Sequence, residues 1–336
     1  MATAGSASVA GCGGLVGGTG TKRSFDPPPV LQNRPNAVYY PTFSEGMTVV
    51  DVQKTQGYAC TLAYTYPLRF WLIAGTHTTP VDASGAMHLM AVVWHVRTRQ
   101  VVPDVGLTYH LKRHGKTFDV DSPWPMLAQP MGWHYGDNVE FPGEGEYDVT
   151  VHVGPPSAKR IGPLADAPSD LSFDFTLDYS ESAVDSIPWQ ELPKRAGTRG
   201  AVPHANAEHV PTSAVPTKAD LPGSPLGTGT SGDAEFVVTV LDDATRFGGT
   251  TRQSYLAVSP RSPYDRYLLP RMKLAAVIDG TAHSLAQTLD SELGPHYGSA
   301  LDDDPGSAAV RVDTPPQIVR HEGYETAWIE MTAFSV

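Results

Sequence analysis

The sequence predicts an all-β protein, two immunoglobulin-like antiparallel β-sandwich domains joined by a Pro/Gly-rich linker. Three observations carry this. Its 336 residues include 32 Gly and 30 Pro, too many turn formers for long helices. Short runs rich in Val, Thr, Tyr, Phe and Trp alternate apolar and polar side chains between Gly, Pro and Asp. No window of helical length sustains an apolar period of roughly 3.6 residues. A chain of this length also leads one to expect two domains of ordinary size.

Taken in order, residues 1–36 read as an address and a tether. Val9-Ala10-Gly11-Cys12 resembles a lipobox, in which the cysteine becomes a lipidated first residue, and the Gly/Thr/Ser run to Ser24 is a flexible spacer. The charged and apolar regions of a secretory signal do not precede it, which reads as a truncated or miscalled start; the competing reading is a disordered tail with an incidental cysteine. Residues 37–182 carry the first set of strands: Met47 to Val52, Tyr58 to Tyr66, Met87 to Val96, Gly106 to Leu111, Glu146 to Val153 and Leu171 to Tyr179. The segment Pro125 to Gly136 reads as a turn-rich loop. Residues 183–232 turn to Pro, Gly, Ala, Thr and Ser without periodicity, which predicts a disordered linker in which His204 and His209 are solvated. Strand-like text returns in residues 233–336, at Glu235 to Leu241, Tyr255 to Val258, Met272 to Ile278, Ala308 to Val312 and Thr326 to Thr332. Trp133-His134-Tyr135-Gly136 is echoed by Pro295-His296-Tyr297-Gly298 in matching context, so the second domain reads as a trimmed, degenerate copy of the first.

Composition narrows the function. A formal charge of -12 opposes binding to nucleic acid and to anionic lipid surfaces. No run of about 18 apolar residues is present to span a bilayer as a helix, leaving a lipid at Cys12 as the one membrane attachment. With Cys12 and Cys60 the only cysteines, a metal site must use His, Met or carboxylates. The sequence contains no nucleophile elbow, phosphate loop, His-Glu-x-x-His or dinucleotide fingerprint, so a non-enzymatic role is expected.

In the strand from Met87 to His95, a period of two puts His88 and Met90 on one face, an imidazole and a thioether about 7 Å apart. The segment from Pro125 to Gly136 offers Met126 and His134, with Met131 as a substitute thioether. If these meet, His88, Met90, Met126 and His134 form a soft-to-borderline ligand set that favours copper; ferrous iron requires Asp137 or Glu140 to join. The alternative is that the methionines fill the core and the histidines are satisfied polar residues. Trp94, Trp124 and Trp133 read as core or site-wall aromatics. The other histidines of the first domain, His110 and His152 among them, stand singly in turns or strands.

Gly46-Met47 opening a strand, then His88-Leu89-Met90, Met126, His134-Tyr135-Gly136-Asp137-Asn138-Val139 and Gly145-Glu146-Tyr147-Asp148-Val149-Thr150 together resemble the periplasmic high-affinity iron-transport protein family. The likeness covers roughly Ala37 to Tyr179. It implies an immunoglobulin-like sandwich, often dimeric, that binds copper and assists ferrous iron uptake beside a membrane iron permease, with His88, Met126 and His134 as copper ligands. Three departures stand out. Met90 occupies the place of a family glutamate, the Met126-to-His134 spacing is one residue long, and a further family histidine beyond the strand ending at Val153 has no equivalent, Arg160 being nearest. The site is thus expected to be thinner than the family's, or completed by another chain. The implied function is extracytoplasmic capture of copper or ferrous iron and its delivery to a permease. The rival is a surface interaction module in which the His/Met cluster is structural.

Overall fold

The computed structural model describes residues 25–165, 170–205 and 210–336. The lipobox-like segment around Cys12 and the histidine at 209 lie outside them. The expected all-β class holds: among the described residues the only helical elements are one short α-helix, Glu181–Asp185, and two 3-10 turns. None is long and apolar enough to cross a membrane.

The first half builds a four-stranded sheet and seven strands of an eight-stranded one. In the smaller one, Leu171–Tyr179 alternates buried and exposed residues along its whole length, the pattern of a strand with one face on the core and one in water. Inner residues such as Leu177, Phe175 and Tyr109 meet Leu89 and Tyr135 of the larger sheet in one apolar core. The Tyr109 hydroxyl donates to the Tyr135 carbonyl at 3.0 Å. Two central strands of the larger sheet, Tyr58–Thr65 and Met87–His95, are buried on both faces. That reverse face is where the site forms.

Pro125 to Gly136 is a β-hairpin rather than a loop: Trp124–Ala128 and Gly132–Val139 pair antiparallel, His134 opposite Met126. Two prolines and two glycines gave it a turn-like text. The bend needs only Gly132, whose φ of +73° suits glycine.

The described residues of 183–232 are not the disordered linker that the composition predicts. Ser180 caps the short helix by accepting from the Ala183 N–H at 3.2 Å. Trp189–Glu191 pairs antiparallel with Phe43–Glu45, and Ser224–Ser231 pairs with Ala234–Leu241 as the outer strand of the second half. Val184, Ile187, Trp189, Val210 and Val215 are buried. Their apolar residues are too sparse to show a period, yet each finds a socket, and extended chain suits the prolines between them. His204, expected to be solvated, makes a 3.0 Å bond through Nδ1 to the Tyr267 hydroxyl. Thr326 to Thr332 is a run of turns and irregular chain, not a strand, and Trp124 is 43% exposed rather than in the core. His110 and His152, expected to stand singly, have ring centroids 4.5 Å apart.

The two halves interlock. Val319–His321, from the C-terminal half, enters the first half's large sheet between Trp124–Ala128 and Phe70–Ala74. Lys159–Arg160, from the N-terminal half, pairs parallel with the Thr281–Asp290 strand of the second.

Candidate metal centre

Four neighbouring strands of the large sheet supply the site. His88 stands on Met87–His95, opposite Asn138 of Gly132–Val139. His134 on the latter faces Met126 on Trp124–Ala128. Next to it, Val319–His321 runs parallel, with Val319 beside Met126. Across a flat sheet, three interstrand steps would separate His88 from His321 by about 14 Å. Their ring centroids lie 5.1 Å apart, so the sheet curls and this face is concave. His134 completes the triangle, 6.0 Å from His88 and 5.5 Å from His321 between centroids.

One ligand atom from each of the three imidazoles falls within 4.8 Å of the others. With nitrogen-to-metal bonds of about 2 Å, ligand nitrogens around one ion stand roughly 3.4–4 Å apart, so a contraction of at most about 1.4 Å would complete the shell. The thioether joins them: His321 Nε2 lies 3.4 Å from Met126 Sδ. Gly136 forms the floor. A Cβ there would sit 2.7 Å from His88 Nε2 and 3.2 Å from both Met126 Sδ and His134 Cδ2, so the cradle is open only because residue 136 has no side chain.

The outward nitrogens are fixed by the inward ones. His88 Nδ1 lies 2.9 Å from Asn138 Oδ1, an acceptor, so Nδ1 carries the proton and Nε2 presents a lone pair. Asn138 is held in turn: its Oδ1 accepts from the Leu68 N–H at 3.0 Å and its amide donates to the Leu68 carbonyl at 2.9 Å. His134 Nδ1 donates to the Gly132 carbonyl at 3.0 Å, leaving its Nε2 likewise free. Both Nε2 atoms are buried with no hydrogen-bond partner. Leaving a buried polar atom unpaired costs about 1–3 kcal/mol, a cost that a ligated ion would offset.

All three rings are neutral at physiological pH. Burial brings His88 down to about 3, aided by His134, and His134 down to about 4. Burial and the other two rings hold His321 well below the ordinary histidine range. Metal capture therefore displaces few protons.

Of the sequence-derived candidates, the fold brings together His88, His134 and Met126. Met90 shares their face, opposite Gly136, but packs into the main apolar core, as does Met131. Asp137 alternates to the opposite face, paired with Leu89, and Glu140 is exposed. No carboxylate joins the three-histidine group among the described residues. Sequence reasoning missed His321, which lies 187 positions beyond His134 in a segment that read as featureless. It is fixed by its neighbours. Arg320, fully buried, donates to the carbonyls of Ala327 and, at 2.9 Å, Pro316, and lies over the Trp328 ring. Glu322 accepts from the Thr42 N–H at 2.8 Å and from Arg69 at 3.1 Å.

Residues 92–178 match the Fe2+ transport protein family. Residues 219–336 match a domain of unknown function, DUF7350. His134 and Met126 fall in the first stretch and His321 in the second, so the centre is assembled across both. No curated protein sequence matches the chain. Among solved structures, the chain resembles a copper-bound variant of FetP from uropathogenic Escherichia coli strain F11. Identity is 19% over 40% of this chain and 97% of that one, with a TM-score of 0.34. It resembles copper-reconstituted P19 from Campylobacter jejuni at 19% identity over 40% of this chain and 97% of that one, with a TM-score of 0.33.

Proposed function

We propose that this protein is an extracytoplasmic metal carrier of iron acquisition, which binds copper at His88, His134, His321 and Met126 and serves a membrane iron permease. The observation that carries the reading is the convergence of three buried imidazoles, two with orphaned Nε2 atoms, on one thioether. Imidazole with thioether and no carboxylate is the donor set of a soft-to-borderline ion, so copper fits better than ferrous iron, which prefers harder oxygen ligands. When bound, the ion would supply a redox-capable centre shielded from water. The protein's own part is to fix the tautomers through Asn138 and the Gly132 carbonyl and to exclude solvent. The family match of residues 92–178 supports a role in Fe2+ transport. Display outside the cytoplasm accords with the lipobox-like Cys12.

The test is anaerobic titration with Cu(I) against a chromogenic chelator, alongside Fe2+, for the wild type and for His134→Ala. One tightly held copper per chain, lost in the variant, is the expected result. Equal copper binding by a folded His134→Ala protein would refute the site and favour the surface-module reading.

A further inference from the structure

The central strands of the two halves correspond in order and register, and the correspondence extends to the pieces they exchange. Counting from the paired glycines, Gly136 faces Met90 in the first half and Gly298 faces Ala257 in the second. His134 then corresponds to His296, Met126 to Thr288, and His88 to Tyr255. The supporting bonds repeat. His134 Nδ1 meets the Gly132 carbonyl at 3.0 Å and His296 Nδ1 the Gly294 carbonyl at 2.9 Å. The Tyr135 hydroxyl accepts from the Val105 N–H at 2.7 Å, and the Tyr297 hydroxyl from the Met272 N–H at 2.9 Å.

The exchanged strands obey the same register. In the first half Val319 pairs with Met126 and Arg320 with Leu127, in parallel. In the second, Lys159 pairs with Thr288 and Arg160 with Leu289, also in parallel. Since Thr288 corresponds to Met126, Lys159-Arg160-Ile161 corresponds to Val319-Arg320-His321. The text agrees: Pro155-Pro156 and Pro315-Pro316 each end four residues before the matching arginine. Each borrowed strand thus comes from the same point in the other half, just after the strand Gly145–Pro156 or Ala309–Thr314.

We infer that the chain is a dimer written into one polypeptide: each half lends the other the same strand, and only one of the two cavities so completed is kept as a metal site. The other is plugged. The Tyr255 hydroxyl sits 3.1 Å from His296 Nε2 and 2.2 Å from where a Cβ on Gly298 would stand, as His88 Nε2 stands 2.7 Å from where a Cβ on Gly136 would be, so the hydroxyl fills the gap over the glycine that the first half leaves open. Ile161, at the position of His321, packs with Tyr255 and Phe247 in a separate apolar cluster. This explains why the sequence of the first half lacks its third histidine: the second half, acting as a built-in partner subunit, supplies it. No second copy of the chain is needed to close the site. Assigning the open cavity to a metal rests on the function proposed above; the strand exchange does not.

Two arms separate the claims. The metal-free arm oxidises Lys159→Cys/Thr288→Cys, the parallel pair that joins the halves, at neighbour spacing suited to a disulfide. A cross-linked monomer is expected on a non-reducing gel, and a covalent dimer or no cross-link would overturn the intrachain exchange. The metal arm co-expresses His88→Ala and His321→Ala chains, one defect in each half. Within single chains neither can be complemented, so copper should stay below a tenth of wild type; recovery to about a quarter of the sites would show strands passing between chains and overturn the inference. If the wild type binds no copper, the functional proposal falls while the cross-link still decides the architecture. Tyr255→His/Ile161→His, folded as judged by circular dichroism, should raise copper from one to two per chain; a folded variant still holding one would refute the plugged-cavity assignment.

Discussion

Replacing Gly136 by Ala is the sharpest probe of the centre, because it adds one carbon and removes no ligand. Gly136 has no positive φ, so the backbone accepts alanine without conformational strain. The new methyl carbon, however, lands 2.7 Å from His88 Nε2, whereas ordinary contact begins at 3.4 Å. The imidazole must therefore retreat by about 0.7 Å, or the strand must bend. Metal–ligand bonds tolerate deviations of roughly 0.2 Å, so a retreat of this size removes His88 from the shell. Losing one of four ligands is expected to weaken copper by at least about 100-fold, some 2.7 kcal/mol. The overpacking itself costs about 1–3 kcal/mol of folding stability. Competition titration under anaerobic conditions, with thermal unfolding of the same samples, measures both. Copper affinity within threefold of wild type in a folded Gly136→Ala protein would mean that the ion does not sit in this cradle.

Other outcomes follow from the same geometry. Asn138→Ala frees the His88 tautomer and unpins both backbone groups of Leu68; copper affinity should fall 10- to 100-fold, and urea unfolding should show a loss of about 1–3 kcal/mol. Met126→Leu keeps the volume but removes the sulfur, so Cu(I) affinity should drop while Cu(II) affinity changes little, as read by parallel titrations of the two states. Arg320→Met leaves the Ala327 and Pro316 carbonyls unpaired beside His321 and should lower stability by roughly 2–4 kcal/mol together with copper affinity. For pH, the sign is set by the lowered values of His88 and His134, about 3 and about 4. The unfolded chain binds more protons than the folded one between those values and about 6.5, so the metal-free protein should lose stability as pH falls through that window. Copper uptake near pH 7 should release almost no protons, which calorimetry in buffers of differing ionisation enthalpy will detect.

By itself the sequence determined the β class, because alternation and turn residues act locally and survive in any packing. It also marked His88, Met126 and His134: strand periodicity put His88 on a definite face, and the resemblance picked out all three. What it could not express was concavity. Whether residues on adjacent strands converge depends on how far a sheet curls, a property of the whole assembly. Composition misled at residues 183–232, where scattered apolar side chains are worthless alone yet valuable against a pre-formed surface. His321 was hidden for a different reason. Its ligand role exists only because Val319–His321 pairs with a strand of the other half, and chain distance carries no trace of such a pairing. The tertiary structure alone brought that imidazole home, and with it decided that Met126 rather than Met131 lines the cradle.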